Sequence, residues 1–143
     1  RTGQQVGKGH EFVRESCRAY PEAAEFVADA ATDLADHLVV SLTPDRSARI
    51  ECALALYAAA AEVYPPDEAP ADRAYLGARV AIALTHRLQG DRTQSLADAA
   101  ATAEQAVALA QPLGLPWLCA ETNAALGSAL LDAPGGGRGA YLA

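Results

Sequence analysis

Apolar and polar residues do not alternate over any useful stretch of this chain, so the pattern predicts no β-strand. Alanine-rich segments are instead separated by prolines, which lie where helices begin or have ended. Alanine, about a quarter of the chain, has the highest helix propensity and lets helices approach closely. We therefore predict an all-α fold of about six helices. Their predicted bounds are 9–20, 22–42, 45–63, 70–89, 92–110 and 116–132.

The chain also matches itself at a fixed shift. Residues 49–85 align without a gap on residues 95–131, which is a displacement of 46 positions. The Asp-Arg pair at 45–46 recurs at 91–92 and suggests an N-cap at each helix start. Self-similarity at such periods is typical of stacked repeats, and short connections make consecutive helices antiparallel. The sequence thus predicts helical hairpins that recur every 46 residues.

Two motifs resemble the tetratricopeptide repeat. The motif A-x-x-x-Y-x-x-A at 53–60 resembles its second helix, and N-x-x-L-G-x-x-L at 123–130 resembles its first helix. The repeat unit is longer than the usual one and, with segment 90–96, is similar to a long bacterial variant that commonly precedes CHAT domains, which are caspase-like peptidase modules. The resemblance implies antiparallel helical hairpins stacked as a short right-handed solenoid. It also implies a non-catalytic protein-protein interaction scaffold within a larger bacterial protein.

The same resemblance nominates a binding surface, because the first helix of each tetratricopeptide unit lines a concave face. That face would be polar with acidic ends, and would suit a basic or polar protein or peptide. An alternative from another class is a helical ligand-sensing segment of a signalling or regulatory protein, which an enclosed apolar pocket would favour. The nominated residues are Asp29, Thr32, Asp36, Tyr75, Thr85, His86, Glu121 and Ser128.

No constellation of side chains predicts catalysis, a cofactor or a metal. The glycine-rich segment 3–9 lacks the spacing of a phosphate-binding loop. Cys17, Cys52 and Cys119 are far apart and odd in number, which predicts inert core thiols in a reducing, cytoplasmic interior. Trp117 is expected to pack against its neighbours, whereas an exposed tryptophan there would indicate a hot spot for a partner.

Charge and hydropathy exclude two classes of partner. The net charge is −7 and no Lys/Arg cluster occurs, so a nucleic-acid surface is not expected. The longest apolar run, 53–61, is far too short to span a bilayer. These features leave proteins, peptides and small ligands as the expected partners.

The chain has no methionine, so we expect a processed product or a fragment of a longer array. The expected organisation is a disordered arm at 1–8, a repeat domain at 9–132, and a flexible linker with the start of a truncated helix at 133–143. Repeat arrays need caps at their ends. We therefore expect self-association through an uncovered apolar flank of the last helix, including Leu118, Leu126 and Leu130.

Overall fold

The computed structural model describes the backbone of residues 2–133 and the side chains of residues 8–133. This part of the chain is all-helical, as predicted, and contains no strand. A short 3-10 turn at Pro21–Ala23 precedes the second helix, and another at Gln111–Leu113 follows the fifth. The six α-helices are α1 (Thr2–Ala19), α2 (Ala24–Val40), α3 (Arg46–Ala61), α4 (Pro70–Thr85), α5 (Arg92–Ala110) and α6 (Pro116–Asp132).

Most predicted helix bounds agree with the structure, and two differ by several residues. The predicted ranges 92–110 and 116–132 are those of α5 and α6. The helix predicted to begin at about residue 9 begins at Thr2. The predicted linker and truncated helix lie outside the described residues from 134 onwards, and the division into arm, repeat domain and linker stays a prediction.

Helix α4 ends at Thr85, whereas the sequence predicted residue 89. The reason is a local hydrogen-bond network that closes the last turn. The N–H groups of His86 and Arg87 donate to the carbonyls of Ala83 and Leu84, which is tighter than α-helical spacing. The Arg92 guanidinium, at the start of α5, donates to the Thr85 carbonyl at 2.6 Å. This side chain from the next helix satisfies a carbonyl that the helix itself cannot.

The chain divides into two compact units, Arg1–Pro65 and Pro66–Ala143. In the first unit α1, α2 and α3 contact one another, and in the second unit α4, α5 and α6 do the same. Each unit is therefore a three-helix arrangement in its own right. The solenoid of stacked hairpins stays a prediction.

Alanine dominates the core of both units. Helices α4 and α5 approach closely, since a Cβ on Gly77 would lie 3.1 Å from the Cβ of Ala106. Tyr57, the tyrosine of the A-x-x-x-Y-x-x-A motif, is only 1% exposed and is a core residue. Buried positions in α3 and α5 recur at the predicted shift: Ile50, Ala53, Tyr57 and Ala60 in α3, with Leu96, Ala99, Ala103 and Ala106 in α5.

The predicted apolar flank of α6 is wrong for one of its three residues. Leu118 is fully buried and packs with Ala74 and Ala110 in the core of the second unit. Leu126 packs partly against a second alanine cluster, while Leu130 is 37% exposed. Leu118 is buried because it lies on the side of α6 that packs against α4 and α5.

The two aspartates that the repeat placed at helix starts differ in geometry. Asp91 has an extended backbone, and its carboxylate accepts hydrogen bonds from the N–H groups of Thr93 and Gln94, as an N-cap should. Asp45 also precedes its helix, but its backbone is left-handed with φ of 63° and its side chain makes no cap bond. The loop before α3 is held instead by the guanidinium of Arg49, which donates to the carbonyls of Leu38, Ser41, Thr43 and Pro44.

Candidate functional site

Three of the eight nominated residues lie in the first unit and five in the second. Two of them, Thr32 and Thr85, are buried. Their hydroxyls donate to carbonyls of their own helices, to that of Ala28 at 2.8 Å and to that of Ile82 at 2.6 Å. Such bonds satisfy the hydroxyl inside the helix. Burial argues against a direct contact between either threonine and a partner.

Asp29 and Asp36 of α2 accept hydrogen bonds from two tyrosines, one in α3 and one in the turn that follows α3. The Tyr64 hydroxyl donates to Oδ1 of Asp29 at 2.7 Å, and the Tyr57 hydroxyl donates to Oδ1 of Asp36. The two aspartates are seven residues apart, and so are the two tyrosines. The earlier aspartate pairs with the later tyrosine, so α2 and α3 are antiparallel. These carboxylates therefore position α2 against α3 in addition to any role at the surface.

The structure brings Tyr75 and Glu121 together around one arginine. The guanidinium carbon of Arg79 lies 4.7 Å from the centroid of the Tyr75 ring, a cation–π contact. Nη2 of the same guanidinium lies 3.6 Å from Oε2 of Glu121. Tyr75 and Arg79 are one turn apart on α4, so both face α6. The sequence nominated the tyrosine and the glutamate but not the arginine that joins them.

Trp117 completes this cluster and is exposed, contrary to the packing role expected for it. Its ring lies 6.3 Å from the Tyr75 ring at an angle of 57°, and 54% of the residue is accessible to solvent. Trp117 and Glu121 are one turn apart on α6, and the residues they contact, Tyr75 and Arg79, are one turn apart on α4 in the same order. Helices α4 and α6 are therefore parallel. We call the set Tyr75, Arg79, Trp117 and Glu121 the Trp117 face.

The remaining nominated residues lie at the surface of the second unit. His86 is exposed and follows the last residue of α4. Ser128 is exposed on α6, two turns beyond Glu121. The nominated surface of this unit is thereby reduced to Tyr75, His86, Glu121 and Ser128. Within this set, Tyr75 and Glu121 are held in place by their contacts in the Trp117 face.

The cysteine environments lower reactivity at two of the three thiols. Burial raises the pKa of the Cys17 thiol, and the nearby Glu62 carboxylate raises it further. Burial alone raises the pKa of Cys52. Since the thiolate is the nucleophile, both thiols hold less of the reactive form at neutral pH than an ordinary cysteine. Sγ of Cys119 lies 3.8 Å from the carbonyl oxygen of Ala110.

In the part of the chain that the structure describes, no three His, Cys, Asp or Glu side chains converge to hold a metal ion. No described helix has the length and hydropathy of a membrane span. A scan against protein-family models found no match, and searches of curated proteins and of solved structures likewise found none.

Proposed function

We propose that this chain is a non-catalytic helical scaffold that binds a protein or peptide segment through the Trp117 face of its second unit. The observation that carries the proposal is the 54% exposure of Trp117 within an ordered set of side chains. The motifs that resemble the tetratricopeptide repeat support the same class of function. The alanine-rich helices would then act as a rigid support for the surface.

The composition of the Trp117 face suits partner binding. Tryptophan, tyrosine and arginine are the residue types most enriched among the residues that dominate binding energy. Here the Tyr75 ring contacts both the Trp117 ring and the Arg79 guanidinium, and Glu121 lies 3.6 Å from that guanidinium. Mutual contacts restrict these side chains before a partner arrives, which lowers the entropic cost of association.

Charge favours a basic partner. Residues 66–133 contain eight Asp and Glu against four Arg, and no Lys. A negative surface attracts basic segments, and the exposed face of a tryptophan binds Lys or Arg side chains by cation–π attraction. We therefore infer that the partner presents a segment with Lys or Arg next to apolar side chains.

A selection experiment tests this proposal without a known partner. The full chain is used to select peptides from a random displayed library, in parallel with Trp117→Ala and Leu131→Ala. Leu131 is an exposed apolar residue of the same helix and provides the matched control. We expect the parent and Leu131→Ala to enrich the same basic and apolar sequences.

Trp117→Ala should lose that enrichment, because the central aromatic contact is removed. Circular dichroism of each variant checks that its helices are intact. Peptides that bind the parent and Trp117→Ala equally would contradict the proposed face. Enrichment of acidic sequences would contradict the inferred partner chemistry.

A further inference from the structure

A separate groove lies between α1 and α3 in the first unit, with a volume of about 190 Å3. Arg14, Cys17 and Arg18 line it from α1, while Ala59, Glu62 and Val63 line it from α3 and the turn that follows. One wall is therefore cationic, and the opposite wall is partly apolar. The function proposed above makes no use of this groove.

The charges in the groove do not balance. Nε of Arg14 donates to both carboxylate oxygens of Glu62 at 2.8 Å, so these two groups neutralise each other. Arg18 lies one turn further along α1, is exposed, and forms no ion pair within residues 8–133. The groove thus retains the positive charge of Arg18, although the whole chain carries −7. Distant acidic groups oppose this charge weakly, because salt screens them beyond about 8 Å.

The Glu62 carboxylate is a local indicator of this positive field. The hydrogen bond from Arg14 lowers the pKa of Glu62 most, and the charges of Arg14, His10 and Arg18 lower it further. Nδ1 of His10 lies 3.3 Å from Nη1 of Arg14. One carboxylate therefore faces three basic side chains on successive turns of α1. Because Glu62 is hydrogen-bonded to Arg14, the Arg18 charge is left to attract a second carboxylate.

We propose that the α1–α3 groove binds a small organic carboxylate. The carboxylate accepts hydrogen bonds from the Arg18 guanidinium, whose planar fork matches its two oxygens. The aliphatic part of the ligand lies against Ala59 and Val63. A cavity of about 150 Å3 holds one benzene molecule. The groove volume of about 190 Å3 therefore fits an acid of a few carbon atoms.

Cys17 lines the groove and provides a built-in reporter. Iodoacetate and iodoacetamide react with the same thiolate, but only iodoacetate carries a carboxylate. The ratio of their alkylation rates at one cysteine is independent of the thiolate fraction. It therefore measures whether the surroundings of that cysteine attract the carboxylate. Mass spectrometry of the full chain gives this ratio separately for Cys17, Cys52 and Cys119.

We expect Arg18→Gln to lower the iodoacetate to iodoacetamide ratio at Cys17 by roughly threefold or more, because it removes a nearby positive charge while the Glu62 carboxylate stays in place. The ratios at Cys52 and Cys119, which do not line the groove, should stay unchanged in this variant. Lys8→Gln, which removes the same charge elsewhere on α1, should leave the ratio at Cys17 unchanged. Propionate should also slow the reaction of Cys17 with iodoacetamide in a saturable manner.

Two results would overturn the proposal. One is a ratio at Cys17 that is the same in Arg18→Gln as in the parent chain. The other is a fall of this ratio in Lys8→Gln as large as that in Arg18→Gln. Both variants change exposed side chains, and circular dichroism checks that their helices match those of the parent.

Discussion

Tyr57 and Tyr64 supply most of the aromatic contribution to the core of the first unit. Tyr57 is 1% exposed and Tyr64 is 6% exposed, and the surrounding core consists mainly of alanine. Each alanine buries little apolar area, so one large ring contributes as much as several of them. Both hydroxyls remain bonded to carboxylates of α2, so burial of the ring leaves no unsatisfied donor.

We expect Tyr57→Ala to lower the free energy of unfolding by about 2–4 kcal/mol, because it removes a buried aromatic and leaves a cavity. Tyr57→Phe keeps the ring and removes the hydroxyl that donates to Asp36, so its cost should be about 1 kcal/mol. Urea unfolding measures both changes. The matched control is Tyr20→Ala, since Tyr20 is 61% exposed. A loss for Tyr57→Ala no greater than that of the control would contradict the core assignment.

The Arg14–Glu62 pair predicts a specific pH dependence. The hydrogen bond from Arg14 holds the pKa of Glu62 below its ordinary value of 4.5 in the folded chain. The contribution of the pair to stability is therefore complete above pH 4.5, and is lost as the pH falls through the lower folded-state pKa. A double-mutant cycle with Glu62→Gln and Arg14→Gln isolates this contribution at each pH.

We expect a favourable coupling free energy at neutral pH that disappears in acid. Urea unfolding of the parent, both single variants and the double variant measures it. A coupling that is equal at neutral and acid pH would show that the two side chains interact through packing and not through charge.

At the scale of helices, α4 and α5 pack closely because small side chains line their crossing. Gly77 allows the approach, since even a Cβ at this position would lie 3.1 Å from the Cβ of Ala106. Gly127 in α6 differs, because among the described residues no heavy atom beyond its chain neighbours and the nearby backbone of its own helix lies within 4 Å of a Cβ built there. The two glycines should therefore respond in opposite ways to substitution.

We expect Gly77→Leu to destabilise the fold by about 1–3 kcal/mol, because the larger side chain must force α4 and α5 apart. Gly127→Ala should stabilise the fold by about 0.5–1 kcal/mol, because it improves helix propensity without a clash. Thermal and urea unfolding measure both. If Gly77→Leu were tolerated as well as Gly127→Ala, the close crossing would be wrong.

Helix positions were more predictable than side-chain faces, and the reasons are physical. Proline at the first turn and Asp91 as an N-cap act locally, so the bounds of α5 and α6 could be inferred from neighbouring residues. The end of α4 depends on Arg92 in the next helix, and local propensity contains no information about that bond. The exposure of Trp117 depends on the offset between α4 and α6, two helices that are not adjacent in sequence.

The residues of the binding surface were also harder to predict from the sequence than the helix bounds. Threonine and aspartate are usually exposed, so Thr32, Asp36 and Thr85 were reasonable nominations for a surface. In the structure the threonine hydroxyls bond to their own helices and Asp36 accepts from Tyr57. Arg79 was missed because its importance lies in its two contacts, with Tyr75 and Glu121, and not in any motif.

At the scale of the whole molecule, the sequence predicts self-association. With Leu118 buried, the large apolar residues that α6 exposes are Trp117, Leu130 and Leu131. We expect light scattering across a concentration series to show an average mass that rises with concentration. Leu130→Gln together with Leu131→Gln should reduce that rise. A mass equal to one chain at every concentration would contradict the prediction.

The net charge of −7 and the exposed tryptophan both favour the binding of a basic segment by the Trp117 face. Trp117 is the only tryptophan of the chain, so its fluorescence reports on this face directly. The decisive measurement is a titration with a short peptide of alternating lysine and leucine, compared with one of alternating glutamate and leucine. Tyr75→Ala keeps the fluorophore and removes its aromatic neighbour, and Leu131→Ala is the matched control.

We predict a saturable change in fluorescence with the lysine peptide alone, unchanged in Leu131→Ala, weakened in Tyr75→Ala, and reduced by added salt because screening lowers the attraction. Equal responses to the two peptides, or no saturable response to either, would contradict the binding of a basic segment by the Trp117 face.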